Sequence, residues 1–126
     1  MNVPNTLKYT KTHEWAKIES GVVVVGITDH AQHELTDIVY VDDYPEIGSQ
    51  VKKGDRIAVI ESVKAVADVF APVAGVLKET NKDLEDAPEK LNKAPYDAWI
   101  VKLKPANAKD IDTLLTPEAY KKELSS

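Results

Sequence analysis

Residues 56 to 77 read RIAVIESVKAVADVFAPVAGVL, and Lys64 stands in the middle of this apolar run with Glu61 and Asp68 as the only other charges from Ile57 onward. The segments on either side, DRIAVIES and AVADVFAPV, are β-branched and strand-like, and the four residues SVKA join them. Such spacing predicts a tight hairpin. Its tip lacks the Asn-Gly or Asp-Gly that two-residue primed turns prefer, whereas a type I turn accepts most residue types. Lys64 is then expected at a hairpin tip, pointing into water and flanked by small apolar residues. One amine protruding from a smooth surface suits an enzyme that modifies it. Schiff-base catalysis by the bare lysine would need a lowered pKa, and the neighbouring carboxylates of Glu61 and Asp68 work in the opposite direction.

Outward from this hairpin, short β-rich segments dominate. EWAKIE (14–19) alternates, VVVVGI (22–27) is continuous, and DIVYVD (37–42) resembles both; WIVKLK (99–104) is a final strand. Turn signals separate them at Ser20-Gly21, Pro45 to Gly48 and KKGD at 52–55. Thr28 is placed to N-cap a short helix over DHAQHEL, with Asp29 at its positive end. A second helical turn is expected at NKDLED, capped by Asn81 or Asp83. Thr116, Pro117 and Glu118 form an N-cap, first-turn proline and first-turn acid that open a helix near the C-terminus. The expected fold is mainly β: one domain over 1–126, a β-sandwich/barrel hybrid with its core at about 8–104, a short helix near 28–35 and a helical extension over about 107–124.

A chain of 126 residues can bury a real core. The absence of cysteine excludes disulfides, thiolate metal sites and cysteine nucleophiles, so redox chemistry must come from a cofactor. A formal charge of -5 argues against nucleic acid as a partner. No apolar run approaches the length of a membrane span, and MNVPNTLKYT lacks the features of a targeting segment. A cytoplasmic location is expected, or a mature form without its leader. His30 and His33 share a helix face but make an incomplete metal site, and a solvated face is the expectation there. His13 is read as structural or as part of a cleft rim, and Trp99 as core packing.

The segment ESVKAVADVFAPVAGVL resembles the attachment region of biotinyl/lipoyl carrier domains, and it is most similar to that of the glycine cleavage system H protein family. KYTKTHEW (8–15), GITDHAQHEL (26–35), DIVYV (37–41), EDAPEKLNKAPY (85–96) and WIVKLKP (99–105) follow in the family's order. The resemblance implies a carrier with no active site of its own, bearing lipoic acid in amide linkage on Lys64. It implies three working partners: a pyridoxal-phosphate glycine decarboxylase that loads an aminomethyl group, an aminomethyltransferase that removes it, and the flavoenzyme dihydrolipoyl dehydrogenase that reoxidises the dithiol. A lipoate ligase or lipoyl transferase would attach the arm. Thr12, Glu14 and Asp68 match positions that surround the loaded amine, and Glu61 and Gly75 match positions used for recognition during lipoylation. A glycine at 75 also suits a tight strand-to-strand turn.

Two rivals share the fold. Biotin carriers typically flank the lysine with methionines, whereas Val63 and Ala65 stand here. Lipoyl domains of 2-oxo acid dehydrogenases usually place aspartate before the lysine and lack HEW, although service as a lipoyl relay to those enzymes remains an alternative. Three features depart from the H protein pattern: VDDYPEIG is one residue longer, Thr36 stands where glycine is common, and Ala98 replaces the glycine before Trp99.

Overall fold

The computed structural model describes residues 1–125. Nine strands run in chain order: β1 (Lys8–Tyr9), β2 (Glu14–Glu19), β3 (Val22–Ile27), β4 (Ile38–Asp42), β5 (Gln50–Val51), β6 (Arg56–Ser62), β7 (Val66–Phe70), β8 (Gly75–Thr80) and β9 (Val101–Pro105). Four helices punctuate them: α1 (Asp29–Leu35), α2 (Asp83–Asp86), α3 (Lys90–Lys93) and α4 (Pro117–Ser125), with a 3-10 segment at Ala108–Thr113. The strands form a six-stranded sheet in the order β1-β2-β3-β9-β8-β5 and a three-stranded sheet β4-β6-β7, with every pairing antiparallel. The mainly β sandwich of the sequence reading holds, and the two sheets do not close into a barrel.

The unbroken valine run of β3 reflects burial on both faces. Val23, Val25 and Ile27 join the main core between the sheets, with Ile57, Ile60, Val69, Leu77 and Leu103. Val24 faces the other way, into a second cluster with Trp15, Tyr9 and Tyr120. A strand alternates its side chains, so a central strand covered on both sides has no polar positions to give. The cover on that second side is α4, and backbone bonds between Tyr9 and Leu115 in both directions (2.9 and 2.8 Å) tie it down.

Two of the helix caps are borne out in detail. Thr28 Oγ1 accepts from Ala31 N at 3.2 Å, and Thr116 Oγ1 accepts from Ala119 N at 3.2 Å. At the second helical turn neither Asn81 nor Asp83 is the cap: Lys82 holds that position without a side-chain cap bond, and Asn81, one residue earlier, accepts from Asp83 N at 3.1 Å. The C-terminal extension is broken in two because Leu114–Thr116 stretches out to meet Tyr9. The last strand begins at Val101, and Trp99 is half-buried with the Lys102 ammonium 4.6 Å from its ring, so it caps the second cluster instead of filling a core.

Thr36 closes α1 at φ 61°, ψ -149°. This conformation is essentially restricted to glycine, and a β-branched residue there is strained. Thr36→Gly is therefore expected to stabilise the protein by about 1 kcal/mol after allowing for glycine's larger unfolded-state entropy, which corresponds to roughly 3–4 °C in Tm. A thermal melt checks this; an unchanged or lower Tm would show that the strain is relieved elsewhere.

Candidate functional site

The β6–β7 hairpin places Lys64 at the exposed tip of the three-stranded sheet, with Glu61 opposite Val66 as the last registered pair. The tip is built by Ser62. Its backbone N–H donates to Ala65 O at 2.8 Å, and its hydroxyl accepts from Lys64 N and Ala65 N at 3.2 and 3.0 Å. A serine side chain thus does the work for which no Asn-Gly is present. The lysine does not simply extend into water: Lys64 Nζ donates to the carbonyl oxygen of Glu34 at 3.3 Å, near the C-terminal end of α1. A second tie, Val63 N to Asp37 O at 3.0 Å, joins the tip to the α1–β4 connection.

Beside this contact lies a cleft of about 230 Å³, between the start of β2, α1 and the β6–β7 hairpin. Ile27, Leu35, Ile60 and Val69 give it apolar walls, while Thr12, Glu14 and Asp68 all line it. The three residues singled out from the sequence are therefore brought together. Glu14 is 2% exposed, whereas Asp68 is exposed. The Glu14 carboxylate accepts from the hydroxyls of Thr10 and Thr12 and, across the gap between the sheets, from Phe70 N at 3.2 Å. Burial pushes its pKa up, against hydrogen bonds that favour the charged form.

His13 and His30 complete one wall. Their rings are 4.4 Å apart, and His30 Nε2 is 3.8 Å from Glu34 Oε1. The Tyr120 hydroxyl, on α4, lies 2.8 Å from both His13 Nδ1 and Thr28 Oγ1. Burial lifts the tyrosine pKa to about 12, so it keeps its proton, donating one of these bonds and accepting the other. Burial and the adjacent His30 lower the pKa of His13. This network was outside the sequence reading, apart from the rim position of His13. The i, i+4 spacing of His30 and Glu34 was the only local signal.

Gly75 lies elsewhere, at the start of β8, opposite Val51 and Pro105 in the six-stranded sheet. No turn requires it there. A Cβ at 75 would stand 2.3 Å from Lys104 O, so close approach of β9 is what demands glycine. Glu61 is half-buried on β6, between Tyr40 and Val66. His33 is exposed.

The two-sheet sandwich, with a lysine at an exposed hairpin tip beside an apolar cleft, is the architecture of a lipoyl-type carrier domain. The sequence model described as "Glycine cleavage H-protein" matches residues 7–126. The chain is 54% identical over 121 residues to the glycine cleavage system H protein of Acinetobacter baumannii, covering 95% of this chain and 97% of that protein. It is 50% identical over 127 residues to that of Nitrosospira multiformis, covering 100% and 98%. A crystal structure of a glycine cleavage system H protein from Mycobacterium marinum superimposes with a TM-score of 0.88 at 34% identity, covering 98% of this chain and 100% of that one.

The chain belongs to the glycine cleavage system H protein family, whose members carry lipoate covalently on a lysine. The residues present fit such a group. Lys64 offers an exposed amine for acylation, and an apolar cleft containing a buried carboxylate opens beside it. Among the described residues, no helix is long and apolar enough to cross a membrane.

Proposed function

We propose that Lys64 is the lipoyl-bearing lysine of this carrier, and that the cleft lined by Thr12, Glu14 and Asp68 shelters the amine of the loaded arm. The observation that carries this reading is their convergence on one cleft whose rim residue, Glu34, already holds the Lys64 amine. Lipoate, when bound, supplies a disulfide that can take up the aminomethyl group of glycine and later release it. The chain's own residues position and protect. The hairpin fixes the root of the arm, the apolar walls exclude water, and Glu14 offers a negative charge in a dry setting, where charge-assisted hydrogen bonds are strong. Thr10 and Thr12 orient that carboxylate.

The working partners in this reading are a pyridoxal-phosphate glycine decarboxylase, an aminomethyltransferase and dihydrolipoyl dehydrogenase. A lipoate ligase or lipoyl transferase attaches the arm. Tethering raises the effective concentration of the arm at each docked enzyme to the order of mM. The relatives come from prokaryotes, which supports a cytoplasmic setting. The reading is tested by reconstitution: lipoylated protein combined with the three enzymes, glycine, tetrahydrofolate and NAD⁺ should give glycine-dependent NADH. An intact mass and tryptic map should place the lipoyl increment on Lys64; an increment on another lysine would overturn the assignment.

Glu14→Gln separates shelter from attachment. Lipoylation should proceed as in the wild type, while the loaded protein should lose ammonia and formaldehyde about tenfold faster, the scale of exchanging a hydrogen bond to a charged group for a neutral one. An unchanged loss rate removes Glu14 from the role. The same variant carries a pH signature. The native carboxyl has a raised pKa, so the folded protein binds this proton more tightly than the unfolded chain does, and ionisation destabilises the fold. That penalty is absent below the unfolded carboxylate pKa and fully present above the raised native value. Glutamine mimics the protonated form, so the variant should melt higher than wild type at neutral pH and at the same temperature near pH 3.

A further inference from the structure

The outer face of the three-stranded sheet carries apolar side chains where water would favour polar ones. Tyr40 is 62% exposed and Val66 66% exposed, and they flank Glu61 in one registered row, Tyr40↔Glu61↔Val66. Directly opposed residues project on the same side of a sheet, so these form one surface. Val63, 69% exposed, extends it to the hairpin tip immediately beside Lys64. Exposed acids lie near it, apart from Lys64 itself: Asp37 and Asp42 at the two ends of β4, and Glu34 at the helix end that holds the lysine. The only arginine of the chain, Arg56, is at the opposite end of β6.

We propose that this Tyr40–Val63–Val66 surface is the docking face for the enzyme that acylates Lys64, and that this enzyme meets it with an apolar shelf bordered by lysine or arginine. The inference rests on Lys64 being the attachment point. The occupant follows from reach. Acyl transfer requires Lys64 Nζ itself to enter an active site, so the surface within a few ångströms of the lysine must be covered by that enzyme. Partners that work on the far end of the arm act a full arm length away. In the transfer, the deprotonated Nζ attacks the carbonyl of an activated acyl donor such as an acyl adenylate. The C–N amide bond forms, the acyl–oxygen bond to AMP breaks, and the former ammonium gives up two protons in all. Contiguous exposed apolar groups beside a reactive residue mark such an interface, and the acidic border supplies orientation and encounter rate more than affinity.

The test uses the full-length protein, purified lipoate–protein ligase, ATP and lipoate. The double variant Tyr40→Ser, Val66→Thr should be acylated on Lys64 with a KM at least tenfold above wild type and a kcat within about twofold. Ile47→Ser, which removes an equally exposed apolar group from the distant β4–β5 loop, should match wild type. Unchanged KM in the double variant overturns the proposal. So does a double variant acylated normally but, once lipoylated, turned over poorly by glycine decarboxylase, which would assign the face to that enzyme. Failure of the wild-type protein to acquire a lipoyl group on Lys64 would instead overturn the attachment reading and this inference with it.

Discussion

Lys64→Arg is expected to reduce glycine-dependent NADH formation to the background of the assay while leaving the fold intact. The two halves have separate physical causes. Arginine keeps the positive charge and can donate to the same Glu34 carbonyl, so the tip keeps its tie to α1. At an exposed position such a substitution changes stability by no more than about 0.5 kcal/mol. A guanidinium, however, does not lose its proton under working conditions, so it has no lone pair with which to form an amide. Without covalent attachment, free lipoate must be bound from solution, and the mM-scale local concentration of a tethered arm is lost. Intact mass, a thermal melt and the reconstituted assay check the three parts. Normal lipoyl increment in the variant would mean that another lysine carries the arm.

The second large effect is expected at Gly75. An alanine Cβ there would stand 2.3 Å from Lys104 O, 3.0 Å from Lys104 C and 3.1 Å from Pro105 Cα. All three are backbone atoms of β9, so no side-chain rotation can make room, and β8 must part from its neighbour. Overpacking of this kind costs about 3 kcal/mol, which for a chain of this size lowers Tm by roughly 10 °C. Denaturant unfolding measures the loss; a variant as stable as wild type would show that β9 yields without strain. We further propose a direct role for Gly75 in recognition by the lipoylating enzyme, as the family resemblance implies. That role predicts slower acylation per folded molecule than in a core variant of matched stability, such as Leu77→Ala. Equal rates would leave Gly75 a purely structural glycine.

Features with a local signal are legible in the sequence. Period-two patterns and β-branched runs located the main strands, and side-chain oxygens at Thr28 and Thr116 placed two helices. The edge strands β1 and β5 hold two residues each, and α3 four, too few for any periodicity to register. At the site, Thr12, Glu14 and Asp68 were named through family resemblance, because their convergence depends on β2 and β7 coming from different sheets. The burial of Glu14 was illegible for the same reason. A glutamate opening a strand looks solvated until Phe70, 56 residues away, donates to it. For Gly75 the sequence suggests a tight turn as the structural reason, whereas the structure shows a close approach by β9, which leaves no local mark in the sequence.

The contact between Lys64 Nζ and the Glu34 carbonyl changes character with the modification state. In the unmodified chain it pairs an ammonium with the negative end of α1, an arrangement that the helix dipole favours. Amide formation at this amine would replace that cation by a single neutral N–H, for which the attraction of the helix dipole is weaker. Acylation of Lys64, as proposed, would thus leave an N–H able to donate to this carbonyl while removing the charge that the helix end favours.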